Sequence, residues 1–255
     1  MAEQGWKADL PRPAQRYVIV VDEAKFAEAA AQRLLTRMTS IKDRIAVCLT
    51  GGSSPEGLYS LLGEEPWRSK VPWDRVHWFM GDDRFVPESD PLSNMGMARR
   101  LFLTAAGAPR GNIHPIPTDA NYPEGAANIY EDELKSFYGA DRLDPARPLF
   151  DLVLMGLGPD GHTASLFPGS RALDEKSRWV VAVTKAGMEP FVPRVTLTFP
   201  ALASTREMLF LVDGAGKRDI LQRVFTDVDL PGSRVHSDGE LVWLIDRAAA
   251  PQGVS

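Results

Sequence analysis

The chain has a single cysteine among its 255 residues, Cys48. No intramolecular disulfide can form, which suits a reducing compartment. Cys48 lies inside the apolar run IAVCL, where the expectation is a small buried core residue. Long hydrophobic runs are missing too: nothing approaches the roughly 20 apolar residues of a membrane-spanning helix. Met1 to Gln15 is polar, with two prolines, and holds no apolar stretch of signal-peptide length. A cytoplasmic protein with no membrane partner is expected. No block of Lys and Arg occurs, and the net charge is −5. Nucleic acid is therefore disfavoured as a partner, although a local basic pocket is not. No GxSxG elbow is present, and no loop ends in GK[ST]. His77, His114 and His236 show no metal-ligand spacing with one another or with Cys48.

What is present reads as alternating strands and helices. Continuous apolar runs at Tyr17–Val21, Arg44–Leu49, Val76–Met80, Asp151–Met155, Glu207–Val212 and Leu241–Ile245 predict buried strands. Asp22 is placed to cap a helix whose apolar face runs through Phe26, Ala27, Ala30, Ala31, Leu34, Leu35 and Met38. Pro55 is placed to open a second helix reaching Leu62, and Pro123 to Tyr138 reads as another. Ser93 or Asn94 is expected to cap a helix through Met97 and Leu101, and Ile113 to Ile116 reads as a short strand. The alternating run Arg194 to Phe199 predicts a half-exposed strand, and a helix should follow Lys217 to about Phe225. This order implies parallel βαβ units. The expected fold is one α/β domain over residues 1–255, a three-layer α/β/α sandwich with a mostly parallel, Rossmann-like sheet. Residues 1–15 would form a loose lead-in, and the Asp174 to Pro200 region a small extra lobe.

The stretch FDLVLMGLGPDGHTASLFP, Phe150 to Pro168, carries the strongest chemical signal. A buried strand runs into three glycines, Gly156, Gly158 and Gly161, with Asp160 and His162 among them. Ligands in open α/β sheets bind outside the carboxyl ends of the strands. Formally the glycines match a dinucleotide-binding turn. Pro168 follows Gly161 too soon for a long helix, however, and Lys185 stands where a ribose-binding acid belongs. The side chains offer the better reading, with His162 as a general base near neutral pH and Asp160 either orienting it or touching substrate. Thr50-Gly-Gly-Ser-Ser-Pro55 combines free backbone amides, hydroxyls and a helix start, a combination that attracts phosphate and equally makes an ordinary cap. Arg194 and Lys217, both at strand boundaries, are candidate phosphate cations. Asp82-Asp83-Arg84 offers acid/base groups beside a cation, or a surface ion cluster worth little. Ser165 reads as a cap or core residue rather than a nucleophile.

LTGGSSP, GDDRFVP with Ser93-Asn94 ten residues after Arg84, the Phe150–Pro168 stretch and PRVTLTFPAL occur in this order. Together they resemble the 6-phosphogluconolactonase family, hydrolases of the pentose phosphate pathway, from about Tyr17 to Trp243. The resemblance implies an α/β/α sandwich related to glucosamine-6-phosphate deaminase, a sugar-phosphate lactone as substrate, and no required cofactor, although a bound metal ion has been associated with the family. It puts His162 as the base for a water and Asp160 as its loop aspartate. Gly51, Gly52, Ser53 and Ser54 become the phosphate loop, with Arg194 and Lys217 as phosphate ligands. Asp82, Asp83 and Arg84 become the acidic-acidic-Arg element. Arg84 and the loop amides of Gly158 to Gly161 are expected to steady the oxyanion. The family usually has Glu at position 83 and commonly Thr at 54; Thr184–Pro193 and His236–Gly239 match less closely. Deaminases tend to carry an aromatic after the acidic pair and another continuation after DGH. Arg84 and Ala164-Ser165-Leu166-Phe167 therefore favour a lactonase. The rival readings are an amino-sugar phosphate isomerase/deaminase and a non-catalytic sugar-phosphate sensor. A monomer or weak homo-oligomer is expected.

Overall fold

A computed structural model describes residues 16–227 and 229–254. The expected lead-in, residues 1–15, lies outside the described residues. β1 (Arg16–Val21) leads into α1 (Phe26–Ser40), β2 (Ile45–Leu49) into α2 (Glu56–Gly63), and β3 (Val76–Met80) directly into a short strand, β4 (Asp82–Arg84). Then come α3 (Asn94–Ala98), β5 (Ile113–His114), α4 (Pro123–Tyr138) and β6 (Leu152–Met155). β7 (Val180–Val183), β8 (Arg194–Leu197), α5 (Phe199–Ala203), β9 (Glu207–Val212), α6 (Arg218–Thr226), α7 (Pro231–Arg234) and β10 (Glu240–Asp246) follow. No described helix is long and apolar enough to cross a membrane.

The seven strands β1-β10-β9-β6-β2-β3-β5 form one sheet in that order, parallel throughout rather than mostly so. Helices flank it, as the α/β/α expectation requires. The apolar runs IAVCL, LVLM and EMLFLV are buried at every position, the pattern of strands covered on both faces. Phe210 and Trp243 face each other across β9 and β10, with rings stacked at 3.8 Å. β2 and β6 are neighbours, but from β2 the chain moves outward to β3 and β5, and from β6 to β9 and β10 on the other side. The loops after β2 and β6 diverge, which opens a crevice at the carboxyl edge of the sheet.

A second, antiparallel sheet of β4-β8-β7 stands beside that crevice. It gives the expected small lobe, with a third strand drawn from the loop after β3. β8 was expected to be half exposed; all four of its residues are buried, because it is the middle strand and α4 packs on it. Asp22 does not cap α1. A 3-10 turn, Glu23–Lys25, intervenes, and the Asp22 carboxylate accepts instead from Arg247 Nε at 2.5 Å.

Two buried tyrosines fix the strand ends that carry the site. The Tyr59 hydroxyl of α2 accepts from Thr50 N at 3.1 Å and donates to Thr50 O at 2.8 Å. The Tyr130 hydroxyl of α4 does the same for Met80, at 2.9 and 3.0 Å. Each satisfies both backbone groups where its strand has run out of neighbours.

Candidate active site

Thr50, Gly51, Gly52, Ser53, Ser54, Asp82, Arg84, Asn94, Gly158, His162, Arg194 and Lys217 all line one cavity of about 180 Å³ at the carboxyl edge. Five strand ends supply all but Asn94, which opens α3: β2, β3 continued into β4, β6, β8 and β9. Of the site residues expected from the sequence, Asp160 and Gly161 do not line the cavity. They shape the loop that does.

That loop is a set of turns with no helix. A dinucleotide turn needs a helix N-terminus for the pyrophosphate, so the formal glycine match carries no such site here. Asp160 Oδ1 accepts from His162 N at 3.1 Å and lies 2.5 Å from His162 Nδ1. Burial works to raise the Asp160 pKa, but these bonds and the charge of the imidazole outweigh it and hold the carboxyl below its ordinary value. With Nδ1 committed to Asp160, Nε2 is the nitrogen left to take a proton. The ring rests against Phe167, 4.6 Å between centroids. Gly158 leaves space for it: a Cβ there would stand 2.0 Å from Nδ1. The amides of Gly158 and Gly161, expected as oxyanion donors, are already engaged, donating to His162 O at 2.8 Å and Gly158 O at 3.0 Å. Gly161 has φ +84°, and its carbonyl accepts from Gly232 N at 2.9 Å, which ties the loop to α7.

β4 supplies the opposite wall. Side chains two apart on a strand share a face. Asp82 and Arg84 therefore both face the cavity, and Asp83 turns away. Asp83 accepts from the amides of Arg84, Asn94 and Met95 at 2.7 to 3.0 Å and from Ser93 Oγ at 3.2 Å. It anchors the start of α3, where Ser93 is the cap and accepts from Gly96 N. Burial pushes the Asp83 pKa up to about 6 against these bonds. Asp82 accepts from Ser165 Oγ at 2.6 Å. Ser165 is fully buried, so it is a core partner of that carboxylate.

Arg84 and Arg194 are direct partners in the β4–β8 register. Like charges placed opposite one another cost stability unless an anion bridges them. Arg84 Nη1 donates to Leu92 O at 2.7 Å and to Asn94 Oδ1 at 3.0 Å, while its Nε is buried with no partner among the described residues. Arg194 is 4 % exposed and donates to Pro190 O at 2.9 Å. Burial lowers its pKa, with the nearby Asp82 and Asp83 charges opposing. Two guanidinium groups at one cavity wall, one buried and one half-buried, make a strong anion site.

Lys217 reaches the cavity from the turn after β9 and donates to Leu157 O at 2.7 Å. Ser54, expected to donate to phosphate, instead directs its hydroxyl at Asp213 Oδ1, 2.5 Å away. Sequence reasoning missed Asp213 and Asn94. Asn94 donates to Asp82 O at 2.8 Å, accepts from Arg84, and packs where a Cβ on Gly51 would stand. The Ser93-Asn94 pair was visible as a cap, but its reach into the cavity depends on β4. Among the described residues no group of three or more His, Cys, Asp or Glu side chains is placed to hold a metal ion. The nearest donors, Asp160 with His162 and Asp82 with Ser165, are committed to one another.

The family profile for glucosamine-6-phosphate isomerases/6-phosphogluconolactonase matches residues 21–243. A 6-phosphogluconolactonase of Synechocystis sp. is 37 % identical over 238 residues, which is 91 % of this chain and 95 % of the relative. The crystal structure of 6-phosphogluconolactonase from Thermotoga maritima superposes with a TM-score of 0.79 at 32 % identity, covering 91 % of this chain and all of that one. A monomeric glucosamine-6-phosphate deaminase shares the fold, with a TM-score of 0.76 at 18 % identity, over 91 % of this chain and 98 % of that one.

Proposed function

Because the chain belongs to the family of glucosamine-6-phosphate isomerases and 6-phosphogluconolactonases, we propose that its pocket carries out the lactonase reaction with His162 as general base. The chain is a lactone hydrolase. It converts 6-phospho-D-glucono-1,5-lactone to 6-phospho-D-gluconate in the oxidative pentose phosphate pathway.

The substrate phosphate docks among the amides of Gly51 to Ser54, Arg194 and Lys217. His162 Nε2 takes a proton from water as the water oxygen bonds to the lactone carbonyl carbon. Asp160 holds the Nδ1 proton, and so fixes the tautomer and steadies the imidazolium that forms. Arg84, which lines the cavity, is the donor for the carbonyl oxygen as it turns anionic. When the tetrahedral intermediate collapses, the bond from the carbonyl carbon to the ring oxygen breaks. The proton on Nε2 passes to that oxygen, which leaves as a hydroxyl on the same molecule. The acid product ionises to solvent.

The observation that carries this reading is the Asp160–His162 pair, 2.5 Å apart, with His162 lining a cavity that Arg84, Arg194 and Lys217 also line. A positioned base contributes about 10²- to 10⁴-fold. His162→Ala should fold normally and lose on the order of that factor in kcat, in a coupled assay corrected for spontaneous lactone hydrolysis. Wild-type turnover by this variant would overturn the assignment. Release of ammonia from glucosamine-6-phosphate by the wild type would instead place the chain with the deaminases.

A further inference from the structure

Asp213 is the first residue after β9 and does not line the cavity. Its carboxylate nevertheless meets one group that does, Ser54, and a second, Lys217, lies in the same turn. Ser54 donates its hydroxyl proton to Asp213 Oδ1 at 2.5 Å. Lys217 comes back beside it because the chain reverses at once: Gly214 takes φ +87°, and Lys217 N donates to Gly214 O at 3.0 Å. Asp246, 1 % exposed at the end of β10, anchors the same turn by accepting from Gly214 N at 3.0 Å. The turn is thus fixed from below, and Asp213 is aimed at the loop after β2.

We propose that Asp213 is a positioning residue of the phosphate subsite, acting through Ser54, whose hydroxyl it holds, and through Lys217, which shares its turn. The proposal rests on the reading of this end of the cavity as the phosphate end. A serine whose proton is committed to a carboxylate presents lone pairs to the cavity, so Ser54 does not add positive potential there. The phosphate charge at this end falls to Lys217. Burial disfavours that ammonium and lowers its pKa; the carboxylates of Asp213, in its own turn, and Asp160, in the loop after β6, oppose the shift. Asp160 is already paired with His162, which leaves Asp213 as the unshared counter-charge.

The sign of the effect depends on pH. While Lys217 is protonated, Asp213 repels a phosphate. At higher pH its charge is what keeps Lys217 cationic. Asp213→Asn keeps an acceptor for Ser54 but removes the charge. Its affinity for inorganic phosphate and for 6-phosphogluconate, measured by calorimetry, should equal or exceed wild type near pH 7. The alkaline loss of affinity should move to lower pH, by up to about one unit for the removal of one counter-charge. Asp213→Glu should restore the wild-type limb, and a thermal melt checks that both variants fold. Lys217→Ala should bind more weakly and show no alkaline limb of this kind. If Lys217→Ala flattens the limb while Asp213→Asn leaves it in place, the proposal for Asp213 is wrong. If Lys217→Ala changes neither affinity nor limb, the phosphate reading of this end is what has failed.

Discussion

An alanine at position 158 would put a methyl group where the His162 ring now lies, with its Cβ 2.0 Å from Nδ1. The ring would have to leave the Asp160 carboxylate. A displacement of about 1 Å at a catalytic group costs on the order of 10²-fold. Gly158→Ala should therefore lower kcat by at least that factor while the melting temperature moves little, because the loop itself is held by Thr163 Oγ1 on Gly156 O and by Gly232 on Gly161. A large drop in melting temperature would show that the glycine serves the fold instead. At this scale the sequence was informative where chemistry is local. Asp160 and His162 are two residues apart, and glycines around them announce a crowded turn. Asp213 carried no comparable signal. It is one acid after an apolar strand, and its partner Ser54 lies far away in the chain.

Among the elements, β4 was the hardest to read. It has three residues, two of them acids, and reads as part of a polar loop. Its strand character comes from pairing with β8, a distant segment, so local propensity could not reveal it. Its period of two is nonetheless written in the sequence: Asp82 and Arg84 face the cavity and Asp83 faces α3. The long buried strands were legible because parallel strands covered on both faces need continuous apolar runs. α2 shows how such an element serves the site. Its Tyr59 hydroxyl holds both backbone groups of Thr50, at the root of the phosphate loop. Tyr59→Phe leaves those buried groups without partners and should cost about 1–3 kcal/mol. Denaturant unfolding would measure it, and phosphate affinity should fall with it as the loop loosens.

At the scale of the molecule, Asp83 gives stability a dependence on pH. Its pKa of about 6 in the fold lies above the ordinary value of 3.8, with burial as the main cause. Between these values the folded chain holds a proton that the unfolded chain has lost. This contribution is fully present below pH 3.8 and declines as pH rises through about 6. A displacement of roughly two units corresponds to about 3 kcal/mol. Asp160, held below its ordinary value, acts in the opposite sense: its contribution is present above the ordinary carboxylate range and is lost as pH falls. The stability lost in Asp83→Asn should thus shrink as pH rises from 4 to 7, measured by urea unfolding at each pH. A penalty that stays constant or grows would mean that Asp83 is ionised throughout. The alternation of strands and helices indicated a doubly covered sheet, but not the strand order that sets β2 beside β6. That order comes from long-range pairing.

The same order has a consequence for synthesis. β1 stands at the sheet edge, with β10 as its neighbour there. During synthesis the first described strand must wait for the last described one before it can dock. Until then that edge of the growing sheet stays open. Folding that depends on so distant a pairing is expected to be slow compared with helix-by-helix assembly.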